Sequence, residues 1–261
     1  MSQIQLQKKL ERAAKDGDFD ELQLLIGLTD PKQDDSSALC YAARNGHTDC
    51  VELLIPVSDP KANGSWALQE AAARGKTQCV ELLIPVSDVE ADDHLALLSA
   101  ATYGHTDCLM LLLDATVRLD KHFNFERVLS GACVEGHLEC VKYLIPVCSQ
   151  ENANNVFVDT VNRHRLECAQ ELAALGVSKD NCTRALEAAC RNEDLPMVKW
   201  LFPLAETSEI LQYAHNYFSF MEHAPPLMDY LEEKIAEQQK QRLLDQVVSP
   251  ISDSGVKRRK M

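Results

Sequence analysis

The sequence has no apolar leader: MSQIQLQKKLERAAKDGD opens the chain, and no run anywhere approaches the roughly 18 apolar residues that span a bilayer. This excludes a membrane-spanning protein and predicts a cytoplasmic one. Basic charge is also scarce. Only 26 Lys and Arg stand against 40 Asp and Glu, a formal net charge of −14. A general nucleic-acid binder needs a basic stripe to neutralise phosphates, so direct nucleic-acid binding is not expected and a basic partner fits better. Aromatic residues are few, at 6%, but 46% hydrophobic and 25% charged residues permit a packed interior and argue against wholesale disorder.

Signatures of chemistry are absent as well. The ten cysteines contain no C-x-x-C pair, so neither a structural zinc site nor any other metal site is expected. In a chain of this length without an export signal, those cysteines read as reduced thiols. The Asn63-Gly64-Ser65 and Asn181-Cys182-Thr183 sequons then read as chance matches. Gly75-Lys76-Thr77 resembles the end of a phosphate-binding loop, but Glu70 stands where that loop needs its first glycine. No H-E-x-x-H, G-x-S-x-G or recurring nucleophile, base and acid set occurs. The expectation is a protein that is not an enzyme and uses no cofactor.

What the chain has is repetition. GHTDCVELLIPVSDPKAN at Gly46 to Asn63 returns as GKTQCVELLIPVSDVEAD at Gly75 to Asp92, 29 residues on. Anchored on glycine, the units begin their turns at Gly17, Gly46, Gly75 and Gly104, then at Gly136 after a step of 32. Weaker copies follow at His164 and Glu193, and one more step reaches Glu222, which makes about eight units by this periodicity. Nine residues after successive anchors stand Ile26, Ile55, Ile84, Leu113, Ile145, Ala173 and Phe202.

Within a unit, Ala38 to Arg44 reads as a helix whose small Ala42 and Ala43 admit a close neighbour, ended by Gly46 in the manner of a C′ glycine. A second helix starts near Thr48 and Asp49, which are expected to cap it, presents Val51, Leu54 and Ile55 inward, and is closed by Pro56. The connector from Ser58 to Gly64 is made of turn formers. Ordering each residue costs roughly 1–2 kcal/mol against about 1.5–3 kcal/mol per buried Leu or Ile, so one unit cannot stand alone and must stack. Leu6 and Leu10 with Lys8, Lys9, Glu11 and Arg12 read as the N-terminal seal. Cys50, Cys79, Cys108, Cys140 and Cys168, four residues after each anchor, read as small core residues, whereas Cys148 and Cys182 fall outside the register and are expected to be exposed.

The string Ala-Leu-x-x-Ala-Ala-x-x-Gly-His-x-x-x-Val-x-Leu-Leu at Ala38 to Leu54 is similar to the ankyrin-repeat consensus. The period is shorter than the family's roughly 33 residues, and Cys40, Gln69 and Leu98 stand where the family has histidine. The resemblance therefore implies an all-α, ankyrin-like α-solenoid of stacked helix-turn-helix repeats with reduced or absent β-hairpins. It would cover residues 1–235, followed by a helical extension at 236–248 and a flexible basic tail at 249–261. The wording resembles bacterial and phage arrays, which implies as one role an inhibitor or effector that sequesters a host protein. His47, His105 and His137 sit where such arrays use histidine to bond the backbone of neighbouring turns.

By the same resemblance a protein partner of unknown identity lies on the concave face made by the first helices and turns. The partner-binding residues expected there are Tyr41, Arg44, Asn45, Trp66, Glu70, Arg74, Thr102, Tyr103, Glu135 and Arg163: Tyr41 and Glu70 stand five residues before an anchor, Trp66 at the entrance of the third unit, and the other seven in the two positions before an anchor. Tyr, Trp and Arg dominate interface energy, although Trp66 and Tyr103 could equally cover neighbouring repeats. The insertion at Asp120 to Phe125 either carries function or adjusts helix pairing, and Lys257-Arg258-Arg259-Lys260 is either an address or a solvated tail. Two alternatives to the scaffold stay open. One is an acidic decoy mimicking a nucleic-acid surface, which predicts salt-sensitive binding; the other is a small-molecule site in the groove. Oligomeric state is not legible.

Overall fold

The structure, a computed structural model, describes residues 2–119, 123–205 and 225–248. The described residues form helices and turns with no strand among them, so the fold is all-α and the projecting hairpins are absent from the described part. Contacts group the chain into two units, Met1–Val177 and Ser178–Met261.

In the first unit the helices come in pairs. These are α1 (Gln3–Asp16) with α2 (Phe19–Ile26), α3 (Gln33–Asn45) with α4 (Thr48–Leu54), and α5 (Ala62–Ala73) with α6 (Thr77–Leu83). They continue with α7 (Ala91–Thr102) and α8 (Thr106–Leu119), α9 (Glu126–Glu135) and α10 (Leu138–Leu144), and α11 (Gln150–Asn162) and α12 (Leu166–Ala173). First helices pack on first helices, from α1 through α3, α5, α7 and α9 to α11, and second helices pack on second helices. The core lies between these two layers. From the first layer it takes Leu10, Leu39, Leu68, Leu97, Leu129 and Phe157, all fully buried, with the alanine pairs Ala42–Ala43, Ala71–Ala72 and Ala100–Ala101 letting the helices close up. From the second it takes the trio four, five and eight residues past the anchor, such as Cys50, Val51 and Leu54. The five in-register cysteines are buried as expected.

Each first helix must stop abruptly for its partner to fold back, and Gly46 does so at φ 81°, its N–H bonded to the Ala42 and Ala43 carbonyls. In the weak copies His164 and Glu193 hold the same left-handed conformation at φ 60° and 55°, which costs a residue with a Cβ about 1–2 kcal/mol. The expected capping by Thr48 and Asp49 does not occur. The cap position of α4 belongs to His47 and receives no side-chain bond, because the Thr48 hydroxyl turns to the following repeat instead, 3.3 Å from Gln78 Oε1. Side-chain caps of this kind appear at Asp18, whose carboxylate accepts from the Glu21 N–H at 2.9 Å.

The connectors hold a feature absent from the sequence expectations. Within the opening turn of α3, α5 and α7 the chain makes one left-handed turn of three residues: Asp34-Asp35-Ser36, Asn63-Gly64-Ser65 and Asp92-Asp93-His94, all with positive φ. Asp and Asn tolerate this region through their short polar side chains, and glycine is free of the Cβ penalty. The turns are fastened to each other. Ser36 Oγ accepts from the Asp59 N–H at 2.9 Å and Ser65 Oγ from the Asp88 N–H at 2.8 Å. In the third turn His94 takes the serine's slot, buried with its ring centroid 4.0 Å from that of Phe123.

Among the described residues no fourth turn of this type appears, and α8 runs on to Leu119 where α4 and α6 stop after seven residues. The expected insertion begins within residues outside those described, at 120–122. Beyond it Phe125 is buried and Phe123 packs edge-on against it, so both aromatics serve helix pairing. Asn124 Oδ1 accepts from the Glu126 N–H and from Asn152 Nδ2, tying the fifth pair to the sixth.

The second unit contains α13 (Lys179–Arg191), α14 (Leu195–Leu201) and α15 (Pro225–Val248). Tyr230 of α15 meets Phe202 edge to face at 6.1 Å. The anchor expected at Glu222 and the basic tail from 249 lie outside the described residues, and residue 235 falls within α15. Cys182, expected to be exposed, is buried on the inner face of α13, and Cys148 is half-buried.

Candidate partner-binding surface

The candidate surface is built from the ends of the first helices. Because α3, α5, α7, α9 and α11 pack in sequence, residues at equivalent positions form a row from one repeat to the next. Asn45 and Glu135 close α3 and α9, while Arg74, Tyr103 and Arg163 are the C-cap residues of α5, α7 and α11. Arg44, Asn45, Arg74, Tyr103, Glu135 and Arg163 are all exposed. Tyr41 and Glu70 sit a turn earlier on their helices and are half-buried.

The row is not uniformly available. Arg44 reaches across to Glu70, Nε to Oε2 at 3.5 Å, so these two charges satisfy each other. Asn45 Nδ2 donates to its own helix at the Tyr41 carbonyl, and Thr102 Oγ1 donates to the Leu98 carbonyl. A Cβ at Gly131 would lie 2.5 Å from Thr102 Oγ1, so α9 presses against α7 there. Tyr103, in contrast, stands 61% exposed. Trp66 does not join the row: eight residues before Arg74 on α5, it lies about 12 Å away along the helix, half-buried near the left-handed turn.

Below the row, the turns between first and second helices are locked by side chains from the following repeat. His47 Nε2 lies 3.0 Å from the Lys15 carbonyl, His105 Nε2 3.1 Å from that of Ala73, and His137 Nε2 2.9 Å from that of Thr102. A carbonyl can only accept, so each ring carries its proton on Nε2. Arg165 Nε donates to the Val134 carbonyl at 3.1 Å in the same way. Alongside, Thr48, Thr77 and Thr106 pair with the thiols of Cys79, Cys108 and Cys140 at 3.9, 3.6 and 3.4 Å.

Shallow cavities of about 280 to 370 Å³ follow this edge, lined by Gly46, Thr48, Lys76, Thr77, His105 and their neighbours. Burial pushes the Cys79, Cys108 and Cys140 thiols above the ordinary thiol range, with the threonine bonds pulling the other way. The nucleophilic form of cysteine is the thiolate, so these sulfurs are held in their unreactive state. Two of the cavities are lined by a histidine together with a cysteine, His105 with Cys108 and His47 with Cys50, and burial raises both of those thiols.

One further concavity went unsignalled by the repeat pattern. Phe19, Asp49, Glu52, Leu53 and Pro56 line a space of about 470 Å³ between α2 and α4. The available signal was Phe19 itself, a bulky apolar residue in the slot that holds Thr48, Thr77 and Thr106 in the next three units.

Comparison with known proteins agrees with this geometry. The family model described as Ankyrin repeats (3 copies) matches residues 10–93 and 68–156. Among solved structures, the chain is similar to the ankyrin repeat domain of human ASB11, with a TM-score of 0.56 and 22% identity over 65% of this chain and 84% of that one. At that identity the likeness speaks for the fold alone. No curated protein matches the sequence. No described helix is long and apolar enough to cross a membrane.

Proposed function

The chain belongs to the ankyrin-repeat family, and from that premise we propose that it is a non-catalytic scaffold capturing one protein partner along the exposed ends of its first helices. Ankyrin repeats make protein-interaction scaffolds; the finer assignment is to the concave face and to the row from Arg44 to Arg163. The observation that carries it is Tyr103, 61% exposed at the end of α7 between Arg74 and Glu135 in the row. An uncovered tyrosine flanked by charge of both signs has the chemistry on which interface energy depends. The histidine locks fix the backbone beneath it, which lowers the ordering cost of binding. Arg44 contributes less than Arg74, because its charge already meets Glu70.

Sequestration of the partner, as an inhibitor, suits a surface that binds without transforming what it holds. A cytoplasmic setting suits ten free thiols. An acidic decoy is the second reading, favoured by exposed carboxylates at Asp49, Glu52, Glu81 and Asp107 that have no ion pair among the described residues.

Affinity capture from host lysate separates the two readings, with wild type beside a Tyr103→Ala, Arg74→Ala variant, washed at low and high salt. The scaffold reading expects a protein held at high salt by wild type and lost from the variant. A protein held equally by both and released by salt would replace it with the decoy.

A further inference from the structure

On the second helices of the fourth and fifth repeats a carboxylate holds a neighbouring cation. Glu139 holds Lys142 at 2.8 Å and Asp114 holds Arg118 at 2.7 Å. The second helices of the first two repeats carry no such pair among the described residues. Asp49 and Glu52, three residues apart on α4 and so on one face of it, are exposed and, among the described residues, engaged by neither an ion pair nor a side-chain hydrogen bond. They border the 470 Å³ concavity whose other lining residues, Phe19, Leu53 and Pro56, are apolar. That volume is within the range of ligand pockets, roughly 300–1,000 Å³.

Phe19 makes the cleft. It is the first residue of α2, 39% exposed, in the slot where the next three repeats carry threonine. Those threonines turn inward to the neighbouring repeat's cysteine. A phenyl ring has no such bond to make, so it stands between this concavity and a second one of about 370 Å³, which shares Phe19 and Asp49. Leaving an aromatic ring half in water forgoes burial that a threonine would never have needed. An uncovered ring beside two unanswered carboxylates is complementary to a ligand both apolar and cationic.

We infer that this cleft is a second docking site, for a basic amphipathic segment of a partner protein. An apolar side chain enters between Phe19, Leu53 and Pro56, and an arginine or lysine meets Asp49 and Glu52. The site lies on the second helices, apart from the row on the first helices, and does not depend on it.

The test uses the full chain and a short fluorescein-labelled peptide of alternating arginine and leucine pairs, read by anisotropy. Saturable binding is expected, weakened about tenfold by Phe19→Thr, which is about 1.4 kcal/mol. Phe19→Thr restores the residue of the neighbouring repeats, and circular dichroism checks that it folds. Asp49→Asn with Glu52→Gln, both on exposed positions, should weaken binding and flatten its dependence on salt. Tyr103→Ala should leave peptide binding unchanged, so failure here would not touch the proposed function.

A peptide with serine for leucine that binds equally well would overturn the site, leaving only an acidic surface. So would an unchanged affinity in Phe19→Thr, or no saturable binding. Concentration-dependent dimerisation of the free protein, abolished by Phe19→Thr, would make a second copy of the chain the occupant and equally overturn the proposal.

Discussion

Alanine at Gly104 should destabilise the array more than alanine at Gly46, although both glycines end a first helix in the left-handed region, at φ 74° and 81°. The backbone cost of a Cβ there is common to both, about 1–2 kcal/mol. What differs is the neighbour. At Gly104 the new Cβ would sit 2.4 Å from His137 Nδ1, on a ring held to the Thr102 carbonyl at 2.9 Å. To make room the ring must abandon that bond, which adds about 0.5–1.5 kcal/mol. At Gly46 the nearest atom is Lys76 Cδ at 2.8 Å, part of a flexible chain that can swing aside.

Gly104→Ala should therefore cost about 1.5–3.5 kcal/mol, and Gly46→Ala only the backbone part. Equilibrium urea unfolding followed by circular dichroism measures both, and His137→Ala completes a double-mutant cycle. With the ring already gone, Gly104→Ala should lose its extra cost, giving a coupling of about 0.5–1.5 kcal/mol. Equal destabilisation at the two glycines, or strict additivity with His137→Ala, would refute the idea that a side chain from the next repeat locks each turn.

Two other outcomes follow from the core. Leu97 is fully buried at the centre of the first-helix layer, so Leu97→Ala should lower stability by about 2–5 kcal/mol in the same urea assay; a change within error would mean the layer is not packed as described. Burial pushes the thiols of Cys40, Cys148 and Cys190 up to about 12 from an ordinary 9.0, and that of Cys133 higher still. The folded state then keeps protons that the unfolded chain releases, so stability is fully present below pH 9 and falls as pH rises from there toward 12. A urea midpoint that declines over that window, together with slow native alkylation by iodoacetamide at pH 8, is expected; rapid alkylation of all ten cysteines would contradict it.

Much of this architecture is legible in the sequence because its constraints are single residues with one job. A glycine every 29 residues marks a left-handed stop, the paired alanines mark close helix contact, and histidine after glycine marks a bond to the preceding turn. The left-handed turns were hidden because Asp, Asn, Gly and Ser suit many turn types, and only the backbone angles distinguish one. Thr48 misled as a helix cap because its competing partners, Gln78 and Cys79, lie a full repeat away. The repeat register sets Cys182 apart from the core, but α13 turns it inward. For the candidate surface, the pattern locates the row but not its internal pairing: that Arg44 spends its charge on Glu70 while Tyr103 stays uncovered depends on side-chain packing between repeats.

The turn locks all run one way. His47, His105, His137 and Arg165 each reach back to a carbonyl of the preceding repeat, and among the described residues no side chain reaches forward to close a turn between first and second helices. The array thus has a polarity that its near-symmetric repeats conceal. Removing the first repeat leaves the His47 ring facing water, which can satisfy it, whereas removing the sixth strips the fifth of the donor that closes its turn. On a ribosome, each repeat would finish its own turn only after the next had emerged, so order should spread through this unit from the end synthesised first, always one repeat behind the growing chain.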